Sequence, residues 1–184
     1  KWGKDLKVLE LKIPRNWPDS TKAVHWRLRT ENEIIKQGST FDLLELAELK
    51  LGARVIIWSP ASATLLTSAV LPTRNRAKIM QALPYSLEDQ LIEDPEKQQY
   101  VYQLETKDKL AVAVTRQENI RTWLNALHAA DIEPAIMCPA TLSLPLIDES
   151  WSLSIEDSEC LVRTEKYRGF ACLMDPHSAP TILK

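Results

Sequence analysis

Arg54-Val55-Ile56-Ile57-Trp58 carries a continuous apolar run, Val55 to Trp58. Such a run suits a strand covered on both faces. Just upstream, Phe41, Leu44, Leu46 and Leu49 supply the apolar positions of a predicted helix. Ser39 or Thr40 could cap that helix, Ser39 with Asp42 makes a weak capping box, and Gly52 sits where a left-handed C-terminal cap belongs. Further upstream lie three expected strands. Leu6 to Ile13 alternates, with Lys7, Glu10 and Lys12 breaking the apolar set. Val24 to Thr30 is a second strand, with Val24, Trp26 and Leu28 on one face and His25, Arg27 and Arg29 on the other. Glu33 to Gln37 is the third, closing at Gly38.

A meander of three strands, a helix and a buried strand follow one another in the order of a ribonuclease H-like unit. Downstream, Thr64 to Val70 predicts another strand, ended by Leu71-Pro72. Over Asn75 to Ile92 the residues Ile79, Leu83, Leu87 and Leu91 recur every four positions, one apolar stripe of a helix. Pro84 interrupts it, which predicts a kink, or a fresh start with Ser86 as cap and Asp89 at the third position. Gln99 to Thr106 and Leu110 to Arg116 flank Lys107-Asp108-Lys109 as a hairpin. Thr115 and Glu118 form a capping box into a helix carrying Ile120, Trp123, Leu124 and Leu127. Asp131 to Met137 leads back to a strand through Pro134. Past Pro145, Trp151 to Ile155, Cys160 to Thr164 and Gly169 to Leu173 repeat the opening meander in order and length. The fold class is therefore α/β with mixed sheets, a duplicated, actin-like arrangement of ribonuclease H-like meander–helix units. The expected division is a first lobe over 1–71 and 132–147, an inserted α/β subdomain over 72–131, and the start of a second, truncated lobe over 148–184.

Composition narrows the function. The 184 residues are 45% hydrophobic and 26% charged, with 23 basic and 25 acidic residues and a formal net charge of −2. These are ordinary values for a globular chain able to bury a core without disulfides or metals. The scattered cations argue against nucleic acid as a partner. Their densest group, Arg74, Arg76 and Lys78, reads as a solvated helix start. Of Cys138, Cys160 and Cys172, the last two lie in apolar runs and read as buried thiols of a reducing compartment. No signal peptide is visible, and no apolar run approaches the roughly 20 residues of a membrane helix. The chain opens on Lys1 without an initiator Met and reads as a soluble piece of a longer protein, any anchor lying outside it.

Catalytic signatures do not form. An actin-like ATPase grips phosphates with Gly-containing turns, because only glycine freely permits close backbone approach. Here the corresponding turns are Pro14-Arg15-Asn16-Trp17-Pro18-Asp19 and Glu156-Asp157-Ser158-Glu159, both without glycine. The three histidines, His25, His128 and His177, fit no metalloprotease or hydrolase pattern, and only His177 has a cysteine near it, Cys172. No catalytic residue, metal or cofactor is assigned. What remains is surface: Glu88, Asp89, Glu93, Asp94 and Glu96 are either a solvated face or an acidic docking edge for a basic partner. Tyr100 and Tyr102 share a strand face nearby and could anchor that contact or belong to the core.

These residues also carry a resemblance. Val70-Leu71-Pro72, then Ala82-Leu83-Pro84-Tyr85-Ser86-Leu87-Glu88-Asp89-Gln90-Leu91 and Glu93-Asp94, is similar to the signature of type II secretion system protein L. Leu110-Ala111-Val112-Ala113-Val114, Trp123-Leu124, Pro139-Ala140, Leu144-Pro145, Trp151-Ser152-Leu153, Leu161-Val162-Arg163-Thr164 and Gly169-Phe170 agree in order. The resemblance runs from about Trp26 onward. It implies a single-pass protein of the bacterial inner membrane whose cytoplasmic, actin-like part lacks ATPase residues and recruits the secretion ATPase, protein E of the system. Protein M would bind through segments outside this chain, and a homodimer is possible. The expected docking residues, chosen for the density of like charge beside the apolar helix stripe and for the neighbouring aromatics, are Glu88, Asp89, Gln90, Glu93, Asp94, Tyr100 and Tyr102, within 72–131. The alternative is a nucleotide-binding actin-like ATPase, or an assembly protein like type IV pilus protein M, a family that keeps the nucleotide-binding glycines.

Overall fold

The computed structural model describes residues 6–156 and 159–174. It divides into two compact units, residues 1–60 with 121–140, and 61–120 with 141–184. The first is built on a five-stranded sheet. Strands β1 (Lys7–Lys12), β2 (Val24–Arg29) and β3 (Ile34–Thr40) form the expected antiparallel meander. Strands β4 (Ala53–Ser59) and β8 (Ile136–Pro139) join in parallel, giving the order β3-β2-β1-β4-β8.

Alternation along β1 places Leu9 and Leu11, both 0% exposed, on the core face with Leu28, Val55 and Ile57. The opposite face holds a buried carboxylate. Glu10 accepts from Arg27 Nε at 2.7 Å and from Arg29 Nε at 3.0 Å, so both oxygens are satisfied by guanidinium groups.

Two local expectations change here. Strand β3 continues through Gly38 to Thr40 rather than closing at Gly38. The reason is close approach: a Cβ at Gly38 would stand 2.9 Å from the indole of Trp26, its partner on β2, so the ring packs over bare backbone. Ser39 and Thr40 are consequently strand residues and cap no helix. The cap is Asp42, whose side chain accepts from Leu44 N at 2.9 Å. Behind it a 3-10 turn, Leu43–Leu46, runs into a single helical turn, α1 (Ala47–Lys50). Leu43 and Leu46 are buried, while Phe41 and Leu44 face solvent. Gly52, at φ 70°, is the expected left-handed residue past the helix end.

The second unit holds two three-stranded sheets. Strand β5 (Thr64–Val70) pairs with β7 (Lys109–Arg116), and β7 with β6 (Gln98–Leu104), so β5 shares a sheet with the hairpin that follows it in sequence. Helix α2 (Arg76–Ser86) starts at Asn75, whose side chain accepts from Lys78 N at 3.1 Å. It sends Ile79 and Leu83 into a core with Leu87, Ala69, Leu71, Tyr100, Leu110, Val112 and Val114, and Leu91 packs against its margin. Pro84 neither restarts the helix nor calls on Ser86 as a cap. The helix ends two residues after it, so only the last turn loses a hydrogen bond, and Ser86 Oγ donates back to the Leu83 carbonyl at 3.0 Å.

Helix α3 (Gln117–Ala129) contains the division between the units. Thr115 does not cap it, because its hydroxyl donates to the Ala63 carbonyl at 2.6 Å. The last sheet is the second meander, β11-β10-β9, made of β9 (Ser152–Glu156), β10 (Glu159–Glu165) and β11 (Arg168–Leu173). No helix among the described residues is long and apolar enough to cross a membrane.

Candidate functional site

The first phosphate-type turn follows β1. Asn16 takes the left-handed conformation (φ 61°), Trp17 N donates to the Pro14 carbonyl at 3.2 Å, and Trp17 is 9% exposed. Pro14 and Pro18 have no N–H to offer. The turn thus spends one amide on itself, lacks two others and buries an indole, an arrangement poorly suited to cradling an anion. In the second turn, Asp157 and Ser158 lie outside the described residues, as does His177. His25 and His128 are both exposed, and no group of three or more metal-ligating side chains occurs among the described residues.

The acidic segment follows α2 directly. Glu88–Gln90 is a 3-10 turn, and Leu91 N closes it on the Glu88 carbonyl at 3.1 Å. The predicted docking residues then separate by what they already touch. Gln90 Oε1 accepts from Thr67 Oγ1 at 2.6 Å. Glu93 pairs with Arg116. Asp94 caps the 3-10 turn Pro95–Lys97 by accepting from Glu96 N at 2.9 Å, and lies 4.0 Å from Lys97 Nζ. Glu88 and Asp89 are exposed and have no hydrogen-bond or ion-pair partner for their side chains among the described residues.

Tyr100 belongs to the core, and Tyr102 is partly buried at its margin. Tyr100 is 6% exposed inside the apolar cluster and donates its hydroxyl to the Pro95 carbonyl at 3.0 Å. Burial, with the Asp94 carboxylate nearby, pushes its phenol above the usual range. Tyr102 packs against the same cluster. The exposed apolar groups beside the free carboxylates are others: Tyr85, 76% exposed at the end of α2, and Ile92, fully exposed past the 3-10 turn. Neither lies on the Ile79-Leu83-Leu87-Leu91 stripe. That offset is the signal that could have marked them as outward-facing.

Known proteins agree with this architecture. The chain is 25% identical to the type II secretion system protein L of Dickeya chrysanthemi over 166 residues, covering 89% of this chain and 41% of that protein. It is 26% identical to the protein of the same name in Klebsiella pneumoniae over 159 residues, covering 84% of this chain and 39% of the relative. It therefore spans about two fifths of the length of these relatives.

Among solved structures, one resembles the chain with a TM-score of 0.79 and 21% identity, covering 91% of this chain and 71% of its own. It is the cytoplasmic domain of EpsL, an inner membrane component of the type II secretion system of Vibrio cholerae. A PilM–PilN type IV pilus biogenesis complex resembles it with a TM-score of 0.57 and 15% identity, covering 91% of this chain and 61% of that one. These likenesses speak for the fold alone, a mixed α/β fold with several sheets. The family model described as type II secretion system (T2SS), protein L matches residues 15–184, nearly the whole chain, and the chain belongs to that family.

Proposed function

We propose that this chain is the cytoplasmic scaffold of an inner-membrane platform, and that it recruits the secretion ATPase, protein E of the system, without catalysing a reaction itself. The observation that carries the docking part is the pair Glu88 and Asp89, exposed and without a side-chain partner among the described residues, flanked by exposed Tyr85 and Ile92. Acidic rim charges steer a basic partner and set its association rate, while an aromatic and a branched aliphatic side chain supply the desolvated contact. Glu93 and Asp94 contribute less to such a contact, since Arg116 and the Pro95–Lys97 turn already use them. The Gly-free turn after β1 supports the non-enzymatic reading. Protein M would engage segments outside this chain.

The test is association kinetics with the N-terminal domain of the cognate ATPase at two salt concentrations. Reversing Glu88 and Asp89 to Lys should slow association at low salt and flatten its salt dependence, with a stability change below about 0.5 kcal/mol. Tyr85→Ala and Ile92→Ala should speed dissociation instead. An on-rate at low salt that ignores the double reversal would sink the docking assignment. Magnesium-ATP should leave the melting temperature of the chain where it is, and a concentration-dependent rise would favour the nucleotide-binding alternative.

A further inference from the structure

Cys160 and Cys172 stand directly opposite each other in the β10–β11 register, so both side chains leave the same face of the sheet. Opposed residues of an antiparallel pair have Cα atoms about 4.5–5.5 Å apart, inside the roughly 4.4–6.8 Å span of a disulfide. The sulfurs are free thiols, and Cys172 Sγ lies 3.9 Å from the Cys160 carbonyl oxygen. Their access differs: Cys160 is 0% exposed, whereas Cys172, on the outer strand of the sheet among the described residues, is half-buried. The remaining cysteine, Cys138, sits in the other unit, opposite Trp58 on β4.

We propose that Cys160 and Cys172 form a thiol–disulfide exchange site, closing to a cross-strand disulfide when met by a low-molecular-weight disulfide of the glutathione kind. Cys172, deprotonated, attacks one sulfur of that oxidant. A mixed disulfide forms and one thiolate leaves. Cys160 then gives up its proton and displaces the second thiolate, forming the Sγ–Sγ bond. Two electrons pass from the cysteine pair to the oxidant, and the two protons go to the released thiols. Burial, with the neighbouring Cys172, raises the Cys160 thiol above its usual range, which suits it to the second step rather than the first. The same exchange run backwards by a dithiol reopens the pair. A reducing compartment holds the site open, and an oxidising episode would close it and tie β10 to β11.

The test uses the whole chain, treated with glutathione disulfide, alkylated, and digested without reduction. The expected product carries one Cys160–Cys172 cross-linked peptide, with a mass lower by two hydrogens. Thiols that can be alkylated once the chain is unfolded in denaturant fall from three to one, and dithiothreitol restores all three. Cys138→Ala should leave closure unchanged, and Cys172→Ala should abolish it while the circular dichroism spectrum holds. The proposal is overturned if Cys138 carries the main adduct or an intermolecular dimer forms. It is equally overturned if all three thiols survive a treatment that oxidises the same chain in denaturant.

Discussion

The two meanders have one topology and opposite exposures at their first strands. In β1-β2-β3 the first strand is the most deeply buried part of the sheet, because β4 pairs along its outer side: Val8 is 6% exposed, and Leu9 and Leu11 are 0%. In β9-β10-β11 the first strand stands at the sheet edge among the described residues. Leu153 and Ile155 on β9 are 49% and 54% exposed, as is Trp151 just before it at 54%. There the centre strand carries the burial, with Cys160, Leu161 and Val162 at 2% or less. The polar anchors differ as well. The first meander satisfies a buried carboxylate with two guanidiniums. In the second the Arg163 guanidinium donates to the carbonyls of Leu142 and Leu144, at 2.9 and 2.6 Å, and to that of Lys166 at 2.8 Å. Alternation specifies a strand and its faces. What lies beside the strand decides how much an apolar side chain contributes.

The largest expected difference comes from matched truncations in the two first strands. Leu11→Ala should cost about 2–5 kcal/mol, the range for a buried leucine whose cavity cannot collapse. Leu153→Ala should cost about 1 kcal/mol or less, since half of that side chain already meets water. Urea midpoints at constant slope would measure both. Equal losses would break the comparison.

A smaller effect is expected at the ion trio. Glu10→Gln leaves Arg27 and Arg29 without a carboxylate, but those side chains are 43% and 34% exposed and can turn to water. A loss of about 1–3 kcal/mol follows, between the values for exposed and for buried pairs. A loss that disappears in high salt would mean that the buried oxygens matter less than surface attraction.

The smallest effect belongs to Lys50 and Asp131, a clasp in the first unit. Lys50 Nζ donates to Asp131 Oδ2 at 2.7 Å and to the Asp131 carbonyl at 2.6 Å. That hydrogen bond, with the lysine charge, holds the Asp131 carboxyl below its usual range. A depressed carboxyl adds stability above its unfolded value, and the contribution is lost as pH falls through the folded value. The Asp131 side chain is 94% exposed, so solvent screens the gain to little. Its titration, followed by carbon NMR, should rise toward the usual range in Lys50→Met. An unmoved midpoint would show that the clasp is absent in solution.

Much of this was legible in the residues. The strand span Thr64–Val70 coincides with what the Leu71-Pro72 stop predicts, and Val24–Arg29 ends one residue short of the expected Thr30. The Ile79-Leu83-Leu87 stripe is buried as spaced, and both meanders appear in order. The helix cap is ambiguous in the sequence, because Ser39, Thr40 and Asp42 all carry capping oxygens. Only the Trp26 ring over Gly38 extends β3 far enough to leave Asp42 in the role.

Tyr100 and Tyr102 mark the same limit on the docking edge. A period of two says that they share a face, and cannot say which face is covered. Likewise the charge run Glu88 to Glu96 is visible as a run, but Arg116, which neutralises Glu93, arrives from a strand 23 residues away. Local sequence thus determined the elements, their order and their faces, because those depend on dihedral preference and on spacings of two and of three to four residues. Only the tertiary structure decided that β5 pairs with β7, that Cys160 meets Cys172, and that Arg116 takes up Glu93 while Glu88 and Asp89 stay without a side-chain partner among the described residues. Each of those depends on which distant backbone arrives alongside, and no local periodicity encodes that.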